Sequence, residues 1–136
     1  MDADKFQFDL ISPEEKLMSE RVGMVTIPGE EGEFGVVIGH APLLAAMKPG
    51  VIRIGRWLND NAPRRVFVSG GFVDVGPDHC TVLAEEAHDL DLVDVTTLDA
   101  EIDALANSMA ATPEEERRRN EIRLTLLKAK RSAVQG

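Results

Sequence analysis

Apolar and polar positions along the first ninety residues fall into short segments with a period of two. Phe6-Gln7-Phe8-Asp9-Leu10 alternates strictly, the pattern of a half-buried strand, and Ser12-Pro13-Glu14-Glu15 closes it with a turn. A second strand is predicted from Val22 to Ile27, ending at Pro28-Gly29, and Phe34–Ile38 and Leu43–Met47 follow as short apolar runs. Val51 to Trp57 alternates again, with Val51, Gly55 and Trp57 facing away from Ile52, Ile54 and Arg56. Val66-Phe67-Val68, Phe72–Val75 and Cys80–Ala84 complete the set. Strands this short and closely spaced, joined by Gly, Pro and Asp turns, indicate a β-sandwich or barrel.

The period changes after about Leu92. Leu98, Ile102, Leu105 and Met109 recur at helical spacing, with Asp99 and Glu101 expected in the first turn and an end near Ala110-Ala111. Thr112-Pro113-Glu114-Glu115 reads as a helix start: an N-cap, a proline at the first helical position and a glutamate completing a capping box. The helix so begun carries Ile122, Leu126, Ala129 and Ala133 on one face, with Glu114/Arg118 and Glu115/Arg119 one turn apart. The fold class expected is therefore α+β: an N-terminal antiparallel β-sandwich over 1-90, then a C-terminal antiparallel two-helix hairpin over 91-136. The apolar stripes are thin and rich in alanine, so the hairpin is expected to need a partner surface.

Between Gly29 and Gly50 five glycines and two prolines punctuate the apolar runs. Gly29, Gly32 and Gly35 recur every third residue, yet Glu30, Glu31 and Glu33 would repel a phosphate, and the Gly-Lys-Ser/Thr ending of a phosphate-binding loop is missing. Hairpin turns are the simpler reading.

Charge separates the two parts. The chain of 136 residues has a formal net charge of −9. Met1 to Thr97 holds 8 basic and 17 acidic residues, whereas Leu98 to Gly136 holds 7 of each. An acidic body with one Trp and no Tyr is a poor nucleic-acid binder, because phosphate contacts need excess Lys and Arg and base stacking needs aromatic rings. No run approaches the ~20 apolar residues of a membrane span, so no direct span is expected. The acidic start Met1-Asp2-Ala3-Asp4 lacks the basic and apolar regions of a secretion signal, and the single Cys80 fits a reducing compartment.

No catalytic constellation emerges. His40 has no evident nucleophile or positioned carboxylate beside it, and a loop-supporting or interface histidine is the favoured reading. His79 and Cys80 are adjacent, so on a strand they point to opposite faces and cannot grip one metal. Glu85, Glu86, Asp89, Asp91 and Asp94 lack the Gly and terminal Glu of a calcium loop, and read as a solvated acidic edge. No metal and no cofactor is expected.

The order of motifs is more specific than any one of them. Gly29-Glu30-Glu31-Gly32, then Gly39-His40-Ala41-Pro42-Leu43-Leu44, Lys48-Pro49-Gly50, Ile52-Arg53-Ile54, Val68-Ser69-Gly70-Gly71-Phe72-Val73-Asp74-Val75 and Thr81-Val82-Leu83-Ala84-Glu85 together resemble the epsilon subunit of the rotary F-type ATP synthase, whose mitochondrial counterpart is called delta. The resemblance implies a non-catalytic central-stalk rotor subunit of a proton-translocating synthase. It would bind the gamma subunit and the c-ring, peripheral to the bacterial inner (plasma) membrane on its cytoplasmic side. Carried over by motif, Glu31, Gly32, Glu33 and Phe34 would face the basic loops of the c-ring, and Gly39, His40, Ala41, Pro42 and Leu43 would face gamma. In many bacterial members the hairpin extends and inhibits hydrolysis; Arg117, Arg118, Arg119 and Arg123 are the residues that would meet the alpha and beta subunits here, as against a merely exposed helix face. Some members bind ATP through a motif of aliphatic residue, Asp, two variable residues, Arg and Ala. Val93-Asp94-Val95-Thr96-Thr97-Leu98 keeps Asp94 but has Thr97 for the arginine, so the motif is degenerate and weak or no ATP binding is expected. The alternatives are a free-standing β-sandwich binding a small ligand or peptide, and a small metal enzyme built on His40 and the acidic cluster.

Overall fold

The computed structural model describes residues 4–109 and 113–135. The chain divides into two units, Met1–Asp89 and Leu90–Gly136.

The first unit contains ten strands among its described residues: β1 Phe6–Ile11, β2 Lys16–Val22, β3 Met24–Gly29, β4 Gly32–Val36, β5 Leu43–Met47, β6 Gly50–Gly55, β7 Arg64–Val68, β8 Gly71–Val75, β9 His79–Ala84 and β10 Ala87–Asp89. They form two layers. One runs β4-β3-β6-β7-β10, the other β5-β8-β9-β1-β2, and the layers meet where Gly29 of β3 pairs with Met47 of β5. Inward positions of both layers close one core: Phe6, Phe8 and Leu10 from β1, Val25 and Ile27 from β3, Ile52 and Ile54 from β6, Val73 and Val75 from β8, Cys80 and Val82 from β9. Alternation thus does what the period of two requires, one side chain in and the next out.

Several expectations change at the strands. The pairing is not wholly antiparallel: β1 lies parallel to β9, Phe8 opposite Cys80, a contact 72 residues apart in sequence that no local pattern announces. β2 was not expected, because Lys16–Val22 is an edge strand that buries only Met18 and Val22 and so shows little alternation. The strand read from Val22 to Ile27 is broken at Gly23. A Cβ there would come within 2.3 Å of Trp57 Cα, so only glycine permits the two backbones to approach. Trp57 lies past the end of β6 and not on its face.

At Gly71 two demands coincide. Its φ is 139°, and a Cβ would lie 2.0 Å from the Leu83 carbonyl oxygen in the adjacent strand.

The second unit opens with a short 3-10 turn, Leu90–Leu92, and holds two helices, α1 Val95–Ser108 and α2 Glu114–Gln135. α1 starts one turn earlier than predicted, which leaves Asp99 and Glu101 outside the first turn. Val95-Thr96-Thr97, β-branched and poor in helix propensity, hid a start that Asp94 fixes. Its Oδ1 accepts from Thr96 N at 3.0 Å and Thr97 N at 3.4 Å, and Oδ2 accepts the Thr97 hydroxyl at 3.0 Å. The Ala110-Ala111 end and the Thr112 cap lie outside the described residues. Pro113 precedes α2, and its carbonyl accepts the first turn's bond from Arg117 N at 2.8 Å, so it occupies the cap position and not the first helical one.

α1 turns Leu98, Ile102, Leu105 and Met109 inward as its spacing predicts. α2 follows the expected face only in part: Leu126, Ala129 and Ala133 are half-buried, but Ile122 is 61% exposed, and the buried residue is Leu127 at 3%. With Leu126 and Leu127 adjacent, two stripes were open to the sequence. The structure centres the covered face on Asn120, Leu124, Leu127, Arg131 and Val134, spaced four, three, four and three, with Leu126, Ala129 and Ala133 half-buried beside it. Arg131 belongs to that stripe because Asp99 of α1 receives its Nε at 2.8 Å. At the other end Arg117 Nε donates to the Met109 carbonyl at 3.3 Å. The start of α1 therefore meets the end of α2 and the reverse, an antiparallel hairpin.

Candidate functional site

β3 and β4 are joined by a two-residue turn, Glu30-Glu31, with Gly32 at φ 136°. Glu30 N donates to the Ala46 carbonyl at 3.0 Å, which anchors this acidic tip beside the far end of β5. Glu31 and Gly32 are exposed. Glu33, also exposed, forms an ion pair with Arg53 at 3.4 Å. Phe34 is half-buried and packed against the core, its ring over Gly29, so its role is to support the turn.

Gly39, His40, Ala41, Pro42 and Leu43 lie between β4 and β5, at the opposite end of the strands. Gly39 has φ 85° and donates its N–H to the Pro77 carbonyl at 2.6 Å, tying this loop to the β8–β9 turn. His40 Nδ1 lies 2.6 Å from the Ala41 carbonyl oxygen, a bond inside the loop that leaves the ring half-buried. The two predicted contact loops are thus separated by the length of the sheet.

What joins them is a surface that the sequence reading missed. On the outer face of the second layer, Ala46, Phe72, Leu83 and Ile11 stand in register across four strands. Phe72 is 57% and Leu83 51% exposed, two large apolar side chains directly opposite one another. Along β5 the outward positions are Leu44 and Ala46, so the exposed Leu44 links the Gly39–Leu43 loop to this row. An apolar row crossing the sheet near the strand ends that adjoin the acidic turn has the composition of an interface. The missed signal was parity. In Gly71-Phe72-Val73-Asp74-Val75, Phe72 shares its side with Asp74, and in Thr81-Val82-Leu83, Leu83 shares its side with Thr81.

His79, Asp89 and Asp94 have local structural partners. His79 sits over Gly76 with Asp74 at 3.8 Å and Asp78 at 3.5 Å. Asp89 pairs with Arg64 at 3.2 Å. Asp94 is held below the usual carboxylate range by the Thr97 hydroxyl, then by the helix N–H groups it caps. Among the described residues no three His, Cys, Asp or Glu side chains are placed to hold a metal ion. Cys80 is fully buried, and burial, with a smaller push from Asp74, raises its thiol to about 12. The thiolate population at pH 8 is then about one part in ten thousand. Iodoacetamide is expected to leave Cys80 unmodified in the folded chain and to alkylate it fully in urea; rapid alkylation of the folded chain would show an open core.

Among the described residues no helix is long and apolar enough to cross a membrane.

Comparison with known proteins places this architecture. Residues 5–90 match the family described as ATP synthase, Delta/Epsilon chain, beta-sandwich domain. The ATP synthase epsilon chain of Rhodospirillum centenum is 45% identical over 132 residues, covering 94% of this chain and 90% of that protein. That of Parvibaculum lavamentivorans is 42% identical over 134 residues, covering 97% and 99%. In fold, a chain of the Euglena gracilis mitochondrial ATP synthase, solved by cryo-EM as the OSCP/F1/c-ring assembly, superposes with a TM-score of 0.77 at 23% identity, over 96% of this chain and 81% of that one. From the family match and from relatives aligned along nearly their whole length, the chain belongs to the family of ATP synthase epsilon chains.

Proposed function

We propose that this chain is a central-stalk rotor subunit of a proton-translocating ATP synthase, without an active site of its own, that couples c-ring rotation to ATP synthesis. The observation that carries the reading is the apolar face Leu44–Ala46–Phe72–Leu83–Ile11, which runs from the Gly39–Leu43 loop to the acidic turn. A subunit that transmits torque must be clamped to the shaft and touch the ring, and a broad apolar face with a charged tip supplies both kinds of contact. Gamma takes the face together with Gly39, His40, Ala41, Pro42 and Leu43. The exposed carboxylates of the Glu30–Glu33 turn meet basic c-ring loops, with Gly32 shaping the turn and Phe34 bracing it from within. The chain works on the cytoplasmic side of a bacterial inner membrane, as a peripheral member of the complex. This reading replaces the free-standing ligand-binding module.

The hairpin acts as a brake on hydrolysis, with Arg118, Arg119 and Arg123 on the outside of α2 toward the beta subunit. Arg117 and Arg131 also hold the folded hairpin together, so extending it would cost both of those contacts. Asp94 is committed to capping α1 and Thr97 to bonding Asp94, so neither residue of the degenerate motif supplies a cation for a nucleotide phosphate. Weak or no ATP binding follows. Truncation after Val95 is expected to raise ATP hydrolysis by the assembled head several-fold while binding to gamma persists. An unchanged rate would remove the brake from the account, and loss of gamma binding by the intact chain would remove the rotor assignment.

A further inference from the structure

The strands place a second surface at the end of the sandwich opposite the Glu30-Glu31 turn. β3 runs away from Met24 toward that turn and β4 returns, while Gly55 at the end of β6 pairs with Met24. Val37, Ile38, Trp57 and Leu58 therefore gather at the far end, where with Gly23, Asp4 and Lys5 they line a cleft of about 520 Å³. Its walls are apolar, and Trp57 and Leu58 stand 52% and 58% exposed.

The loop that presents them is held from several sides. Asp60 Oδ2 accepts from Arg56 N at 3.0 Å and from Arg56 Nε at 3.1 Å, and Oδ1 accepts from Ala62 N at 3.0 Å. These bonds, the Arg56 side chain first, pull the Asp60 carboxyl down to about 2. Gly23 packs backbone to backbone against Trp57, and Gly23 N donates to the Gly55 carbonyl at 2.9 Å. The Arg56 guanidinium lies 4.3 Å over the Trp57 ring. A large apolar side chain fixed in place while left in water is what a preorganised contact requires, since little further ordering is needed on binding. Trp and Arg are also the side chains that most often dominate interface energy.

Charge narrows the occupant. In a first unit rich in carboxylates, this end presents Lys5 in the cleft and Arg56 at its rim. Asp60 is covered, its side chain 1% exposed, and among the described residues that line the cleft Asp4 is the acidic one. The bond from Arg56 to Asp60 uses Nε–H, so the terminal NH₂ groups remain to receive a carboxylate in bidentate fashion. We propose that the Trp57 cleft docks a segment of another subunit of the synthase that inserts a bulky apolar side chain against Trp57 and Leu58 and lays a flanking carboxylate on Arg56. This proposal rests on the rotor-subunit reading. It makes the sandwich a bridge, with one set of contacts at the acidic end and the apolar face and a separate one at the Trp57 end.

Trp57 is the single tryptophan of the chain, so 5-hydroxytryptophan incorporated there can be excited apart from the tryptophans of other subunits. The full chain carrying this label is added to ATP synthase stripped of its own copy of this chain, and quenching by acrylamide is compared before and after assembly. Quenching is expected to fall several-fold on assembly. Leu58→Asp, at an exposed position that folding does not need, is expected to raise the dissociation constant about tenfold or more. Arg56→Glu should weaken binding more than Arg56→Lys. A label as quenchable after assembly as before, or a Leu58→Asp chain that assembles like the wild type, overturns the proposal. Equal binding by Arg56→Glu and the wild type overturns the carboxylate partner. Failure of the wild-type chain to bind the stripped synthase at all would be a failure of the rotor reading, and is distinguished by that first measurement.

Discussion

Phe72→Asp is expected to weaken binding of this chain to gamma by a factor of about a hundred or more, while leaving its fold intact. The argument runs through exposure and register. Phe72 projects from the outer face of β8, more than half exposed, directly opposite Leu83 on β9 and Ala46 on β5. Its ring contributes little to the core, so an aspartate there is expected to cost the sandwich no more than about 1 kcal/mol, the ordinary range of strand preferences. At an interface the same change places an uncompensated carboxylate at the centre of a desolvated apolar row. That loses the ring contacts and adds a desolvation cost. Leu83→Asp should behave alike, and the double variant should show less than the sum, since neighbours in one row couple. Titration of gamma with each variant gives the binding, and urea unfolding gives the stability. Wild-type binding with either variant would mean that the apolar row is not the gamma face.

The largest effect on stability is expected at Phe8. It is fully buried where β1 joins the second layer, between Cys80 on β9 and Glu20 on β2 in register, and belongs to the core shared by both layers. Phe8→Ala removes a ring whose space the surrounding strands cannot easily fill, and should cost about 3–5 kcal/mol. For a domain of this size that is a large part of a stability of roughly 5–15 kcal/mol. Phe8→Leu, which keeps most of the volume and the apolar character, should cost much less, in the neighbourhood of 1.5 kcal/mol. Urea midpoints with an unchanged slope would measure both. A small loss in Phe8→Ala would show that β1 is loosely attached, and that the parallel β1–β9 pairing contributes little.

How much of this was legible in the sequence depends on how local the cause is. Strands with strict alternation, such as Phe6–Leu10 and Phe72–Val75, announce themselves, because each residue's side is set by its neighbours. The stripe of α1 does too. β2 did not, since an edge strand can remain polar on most of its length, and neither did the parallel pairing of β1 with β9, which depends on how distant segments meet. In α2 the sequence offered two adjacent leucines and two possible faces. The choice of Leu127 over Ile122 was made by packing against α1 and by the Arg131–Asp99 bridge.

The candidate site shows the same division. The Glu30–Glu33 turn and the Gly39–Leu43 loop are proposed as contacts from glycines, prolines and family motifs. The surface between them could not be found that way, because Ile11, Ala46, Phe72 and Leu83 come from four strands and are brought into one row only by the register. Parity within each strand told which side chains face outward; only the pairing told which of them are neighbours. The same holds at the other end, where Lys5, Ile38 and Trp57 share a cleft despite lying far apart in sequence.

The measurement that tests the central claim most directly is photo-crosslinking from position 72. The intact chain, with a benzophenone side chain replacing Phe72, is assembled into the synthase and irradiated. The account predicts a single dominant conjugate, formed with gamma. A chain that resides in the complex but forms no conjugate with gamma from this position would contradict it.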